Sequence, residues 1–264
     1  KDVFDVIHFL PFCPYSSDDG FSVIDYQELA AGLGTWEDLE RISKKYTLMY
    51  DFVCNHVSAE STWFQECLKG NDIYRKYFIE VEPDTDLTEV TRPRTTPLLT
   101  EFETAQGKKS FWTTFSADQI DLNYANPEVF YAAIDVLLTY LEKGASWIRL
   151  DAVGFLWKEI GTTCMHHRLT HEAVKVFRGI MDEVCPEGRI ITETNVPHKD
   201  NISYFGNGTD ESHMVYQFSL PMLVLYSFYK QNAERLSEWA ESLRLPSEKA
   251  SFFNFLASHD GIGI

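Results

Sequence analysis

The chain has 264 residues, of which 44% are hydrophobic, and its 23 Lys and Arg against 40 Asp and Glu give a formal net charge of −17. That acidic balance argues against nucleic acid as a partner, because a phosphate backbone is held by clustered cations, and against docking on an anionic membrane surface. The composition is that of an ordinary globular protein, long enough to bury about three quarters of its extended surface.

No stretch approaches the ~18 consecutive apolar residues of a membrane span. Five scattered cysteines, Cys13, Cys54, Cys67, Cys164 and Cys185, suit reduced thiols in a cytosol better than a disulfide framework. The opening Lys1-Asp2-Val3-Phe4 carries neither an initiator Met nor a signal region, so the chain is expected to start in mid-protein.

In chain order, short apolar runs that end in polar residues predict buried strands at Val6–Phe12, Tyr46–Val53, Ser146–Leu150, Arg189–Thr192, His213–Leu220 and Phe252–Ala257. Helical patterns lie between them. Thr35 with Asp38 starts one that buries Leu39 and Ile42. Asn126 with Pro127 caps a second, whose apolar face is Phe130, Ile134, Leu137, Leu138 and Leu141 and which Gly144 ends. A third carries Val176, Phe177, Ile180, Met181 and Val184, and a fourth carries Leu236, Trp239, Ala240 and Leu243. Strands alternating with helices imply a parallel α/β sheet, doubly wound or closed as a barrel. From Val57 to Ala125 that rhythm fails, which predicts an insertion on the strand-to-helix side.

Active groups in parallel α/β folds gather at the carboxyl ends of strands. That rule selects Asp51, Asn55, His56, Arg149, Asp151, Glu193, His259 and Asp260. A carboxylate at a buried strand end is costly unless it is paired or reactive. Several together, with Arg149 two residues before Asp151 on one strand face, favour a catalytic centre. The cluster Cys164-Met-His-His167 and the pair His167 and His171 have metal-ligand residue types, but a loop leading into a helix explains them as well.

Asp51-Phe-Val-Cys-Asn-His56 resembles the first signature of the α-amylase clan of glycoside hydrolases. Trp147-Ile-Arg-Leu-Asp-Ala-Val153 resembles the second, Ile191-Thr-Glu-Thr194 the third and Ser258-His-Asp260 the fourth. Gln119-Ile-Asp-Leu122 is similar to a further motif at the end of the clan's inserted domain. The resemblance implies an α/β fold, a (β/α)8 TIM barrel, here incomplete with strands 2 to 7. The barrel would comprise residues 1–56 and 126–264, and an inserted domain B residues 57–125. Two open sheet edges are a liability, so the sequence is expected to be part of a longer protein, poorly soluble or inactive alone.

The resemblance also implies roles. Asp151 would be the nucleophile that forms a glycosyl-enzyme, Glu193 the acid/base and Asp260 the stabiliser of the transition state. Retention requires the first two carboxyl groups ~5–5.5 Å apart. Arg149 would keep Asp151 ionised and aimed, while His56 and His259 would donate to sugar hydroxyls. Asp51 and Asn55 read as structural. Asn55 supports a calcium site in many amylases, but no set of further ligands accompanies it here.

The segment from His8 to Tyr26, with Asp18-Asp-Gly-Phe21 at its centre, is similar to the sucrose phosphorylase subfamily, as is Ser258-His-Asp-Gly-Ile-Gly263. Asp18 and Phe21 would close the pocket around one glucose ring, the Phe against its apolar face. Such enzymes hand the glucosyl group to inorganic phosphate, giving α-glucose 1-phosphate with neither metal nor organic cofactor. Arg92 and Arg94 are the candidate phosphate cations. Phe155 stands where sucrose phosphorylase has Tyr, and Phe115 would line the pocket from the insertion. Arg92–Pro97 and Glu193–His198 look closer to relatives that phosphorolyse glucosylglycerate. The expected activity is therefore phosphorolysis of a small α-glucoside, glucosylglycerate or sucrose. The alternatives are an α-glucosidase or transglycosylase of the same clan and a truncated, non-catalytic sugar-binding fragment.

Overall fold

A computed structural model describes residues 3–259 and residue 261. In chain order the elements are β1 (Val6–Phe9), α1 (Trp36–Ser43), β2 (Thr47–Val53), β3 (His56–Ser58), α2 (Thr62–Leu68), β4 (Leu99–Thr104), β5 (Gly107–Trp112) and β6 (Gln119–Asp121). There follow α3 (Pro127–Glu142), β7 (Ala145–Asp151), α4 (Arg168–Val184), β8 (Arg189–Thr192), α5 (His198–Ser203), β9 (Met214–Tyr216), α6 (Ser219–Lys230), α7 (Glu234–Ser242) and β10 (Ser251–Phe253).

Six strands form one parallel sheet in the order β1-β2-β7-β8-β9-β10. Strand order follows chain order, with helices in the connections, so the sheet is the unclosed portion of a (β/α)8 barrel. Side chains alternate between its faces. Leu48, Tyr50, Phe52, Ile148, Leu150, Ile190 and Val215 point outward into the main core, where α3 and α4 cover them with Val136, Leu137, Tyr140, Val174, Phe177 and Met181. The alternate residues face inward, where Met49, Ile191 and Tyr216 form a smaller apolar cluster beneath the charged groups of the strand ends.

Between β2 and α3 the chain leaves the sheet. β4 and β5 form an antiparallel hairpin, and β6 returns to pair antiparallel with β3. Leu122 N–H then bonds Asn55 O at 2.9 Å, which delivers the chain to the Asn126 cap of α3.

The differences from the sequence reading have simple causes. The first strand ends at Phe9, the fifth at Tyr216 and the sixth at Phe253, well inside the apolar runs predicted for them. Pro11 cannot donate to a ladder, and Ser219 already begins α6. In α3 the buried line is Val129, Ala133, Val136, Leu137 and Tyr140, one step round from the face read as apolar. This helix is apolar on most of its circumference, so periodicity alone does not orient it. Val176 and Val184 are exposed, α4 instead burying Thr170, Ala173, Val174 and Arg178, and α7 buries no residue.

Candidate active site

Ladder register assembles the site. Asp51 pairs with Arg149 and Val53 with Asp151 across β2 and β7, while Arg149 pairs with Ile191 and Leu150 with Thr192 across β7 and β8. Glu193 N–H continues the ladder to Leu150 O at 3.1 Å, so Glu193 stands level with Asp151 and on the same inward face. Neighbouring strands run ~4.8 Å apart. Residues separated by 42 positions are thus brought side by side by backbone hydrogen bonds alone. The turn after Asp151 is tight: Ala152 takes a left-handed backbone (φ 48°), which aims its N–H at Glu193 Oε2, 3.3 Å away.

Arg149 is the centre of the cluster and is 1% exposed. Its Nη1 donates to Asp51 Oδ1 at 2.5 Å and to Asp151 Oδ1 at 3.0 Å, its Nε donates to the Tyr216 hydroxyl at 3.1 Å, and its Nη2 lies 4.0 Å from Glu193 Oε1. Phe21 and Tyr216 place their rings 5.8 Å and 5.3 Å from the guanidinium carbon. His8 Nε2 donates to the other oxygen of Asp51 at 2.8 Å. Burial opposes ionisation of Asp51, but Arg149 and His8 outweigh it and hold that carboxyl below the usual range. Asp151 goes the other way. Burial pushes its carboxyl up, Arg149 opposes this, and the charge of Asp51 adds to the rise. Arg149 therefore aims Asp151 while sharing its charge with Asp51. Burial also raises the Tyr216 hydroxyl to about 12, so it stays protonated.

Beside this cluster lies a cavity of about 730 Å³ whose walls include Glu193, Phe115, Phe155, Arg94, Met165 and Asn195. Phe115 sets its ring 5.4 Å from Phe155 and 5.3 Å from His56. Arg92 is not among the lining residues and donates to Thr96 O. Asp18 is exposed and accepts from Gln119 Nε2 at 2.9 Å. Phe21 is buried and stacks on His259 at 4.5 Å. Asp18, Asp19 and Gly20 are all left-handed (φ 56°, 48° and 110°), and a Cβ on Gly20 would stand 2.7 Å from Pro11 O. Gly is therefore required where this loop crosses the chain. His56 has both ring nitrogens engaged: Asn55 Nδ2 donates to Nδ1 at 3.3 Å, which leaves the proton on Nε2 to donate to Phe21 O at 2.9 Å. Here it supports the Phe21 loop. Asp260 lies outside the described residues.

Two members of the cluster escaped the sequence reading. His8 and Tyr216 sit within apolar runs, and only the alternation of faces marks them as inward. The histidines considered for a metal are each engaged elsewhere. His166 bonds the Tyr204 hydroxyl at 2.8 Å, His167 accepts from Leu169 N–H and lies 3.0 Å from Glu159, and His171 bonds Glu211 at 2.7 Å.

Two carboxyl groups thus stand level on adjacent parallel strands, at the carboxyl edge of a β/α barrel sheet. The chain belongs to the alpha-amylase family, whose catalytic-domain pattern matches residues 3–261. More particularly, it is 57% identical to the glucosylglycerate phosphorylase of Escherichia coli (strain K12), over all of this chain and 47% of that protein. It is 28% identical to the sucrose phosphorylase of Streptococcus mutans serotype c, over 98% of this chain and 54% of that protein. The crystal structure of sucrose 6F-phosphate phosphorylase from Thermoanaerobacter thermosaccharolyticum superposes with a TM-score of 0.88 at 27% identity, covering all of this chain and 55% of that one. The chain spans about half the length of the curated relatives it matches. Among the described residues, no helix is long and apolar enough to cross a membrane.

Proposed function

We propose that the whole protein is a retaining disaccharide phosphorylase, acting in the cytoplasm, that moves a glucosyl group from glucosylglycerate or sucrose to phosphate. Residues 1–56 and 126–264 form its barrel portion, and residues 57–125 an inserted domain B. Asp151 attacks the anomeric carbon while Glu193 protonates the leaving oxygen. The glucosyl-enzyme then passes its sugar to phosphate, with Glu193 relaying the proton, and two inversions give net retention. Asp260, by its place in the fourth motif, completes the acidic trio. Asp18, Phe21, His56 and His259 build the closed end of the glucose slot. Phe115 and Phe155 face the leaving group.

The observation that carries this reading is the level placement of Asp151 and Glu193 on one face of adjacent strands, with both carboxyls around one guanidinium. The electrostatics agree. With Glu193 carrying the proton it gives to the leaving oxygen, Asp51 and Asp151 still outnumber the single Arg149, so the cluster favours the positive charge that develops on an oxocarbenium-like sugar. In the cavity wall Arg94 supplies the opposite sign where an anionic acceptor would sit, whatever the net charge of the chain. The 57% identity to a glucosylglycerate phosphorylase supports glycerate as the leaving group.

The test is to incubate the full-length protein with glucosylglycerate and with sucrose, with and without inorganic phosphate. Glucose 1-phosphate should appear in the presence of phosphate, and more rapidly from glucosylglycerate. Release of free glucose at one rate regardless of phosphate would overturn the proposal in favour of a hydrolase.

A further inference from the structure

One buried charge plays no part in that mechanism. The Lys158 side chain is 3% exposed, and its Nζ donates to Asp121 Oδ2 and to Asn55 Oδ1, each at 2.7 Å. Asn55 Nδ2 closes the triangle to Asp121 Oδ2 at 2.9 Å. Asp121 also accepts from Thr114, through its backbone N–H at 2.7 Å and its hydroxyl at 2.6 Å. Burial draws the ammonium below its usual range, against the pull of Asp121, so the ion pair is what holds a charge there.

Three separate segments meet at this knot: the turn after β2, the returning limb of the insertion, and the segment after β7. Each also supplies one ring to the site. His56 follows Asn55, Phe115 follows Thr114, and Phe155 precedes Lys158 by three residues. These rings touch in series, His56 to Phe115 at 5.3 Å and Phe115 to Phe155 at 5.4 Å. Phe115 and Phe155 line the cavity beside Glu193. A side-chain ammonium with two polar partners therefore stands directly behind an aromatic wall that no continuous element holds together.

We propose that Lys158 is a positioning residue that, through Asn55 and Asp121, sets the Phe115 and Phe155 wall against which the acceptor binds. The inference rests on the phosphorylase reading. It predicts a loss confined to the acceptor half of the reaction, since the ladder that holds Asp151 and Glu193 does not pass through Lys158.

Full-length protein separates the two halves. α-Glucosyl fluoride loads the enzyme without needing a proton for its leaving group, and fluoride release reports that step; phosphate-dependent turnover reports the second. Lys158→Met strands the Asp121 charge, so Lys158→Met/Asp121→Asn is made as well, to remove the charge together with its partner. In the double variant, fluoride release in the first turnover should stay within about threefold of wild type. kcat/KM for phosphate should fall about 10- to 100-fold, mainly through KM. Lys158→Ala with added propylammonium should recover part of that loss. Equal losses in both halves, or no loss in either, would overturn the proposal. If wild type proves indifferent to phosphate, the phosphorylase reading fails on its own. Lys158 is then judged with water as acceptor, where slowed deglucosylation with unchanged loading supports the role and parallel slowing refutes it.

Discussion

The charged cluster and the cavity wall beside it are built by different means. Asp51, Arg149, Asp151 and Glu193 ride on or just past parallel strands, where ladder hydrogen bonds fix each Cα and the alternation of faces fixes each side chain. Arg94, Phe115, Phe155, Met165 and Asn195 sit on connections, held by isolated ties such as Thr91 N–H to Thr163 O at 2.9 Å and the edge-on packing of Phe115 on Phe155. The first is largely buried and tied by strand hydrogen bonds, and it suits bond-making chemistry, where small misplacement costs orders of magnitude in rate. The second reaches into solvent and can change its lining without disturbing the ladder. On the proposed phosphorylase reading, the strands specify the reaction, and the connections specify what the sugar leaves and where it goes.

Substitutions in each should separate these roles. The largest effect belongs to Asp151→Asn in the full-length protein, which should lower kcat by about 10⁴-fold or more and abolish the glucosyl-enzyme seen by mass spectrometry. Near-normal turnover would place the nucleophile elsewhere. Next comes Arg149→Met, which leaves Asp51 and Asp151 buried near each other without their shared cation. Denaturant unfolding should show a loss of about 3–5 kcal/mol. Adding Asp51→Asn should return part of it, because the repulsion is then gone; strict additivity of the two changes would mean that they do not interact. The smallest effect is on the loop wall. Arg94→Ala should raise KM for phosphate by about 10- to 100-fold, the worth of a charge-assisted hydrogen bond, and leave fluoride release from α-glucosyl fluoride nearly unchanged. A matching fall in fluoride release would erase the distinction between the two.

Much of the strand-borne cluster is legible in the order of residues. Arg149 and Asp151 share a strand parity, Asp51 lies near the end of one apolar run and Glu193 follows another, which is enough to gather them at one sheet edge. His8 and Tyr216 are not legible in that way, since a polar atom inside an apolar run declares its face only when the register is known. The electrostatic sign at Asp151 is hidden too. Motif spacing puts Arg149 beside it, but the competing claim of Asp51 on the same guanidinium depends on the pairing Asp51↔Arg149 across two strands. In α3 the apolar residues wrap most of the helix, so the choice of Val129, Ala133, Val136 and Tyr140 as the inward line comes from the sheet beneath.

Residue order carries information of short range: which segments alternate, which caps start a helix, and which charged side chains close an apolar run. From these alone follow the parallel β/α plan, the interruption between Val57 and Ala125, and the acidic groups to suspect. Relations between segments are another matter, because hydrogen bonds across strands and contacts between loops depend on every intervening turn. Packing in three dimensions alone puts Arg94 in the cavity wall and bonds Arg92 to Thr96 O, and ties Lys158 to Asn55 and Asp121 behind the aromatic wall.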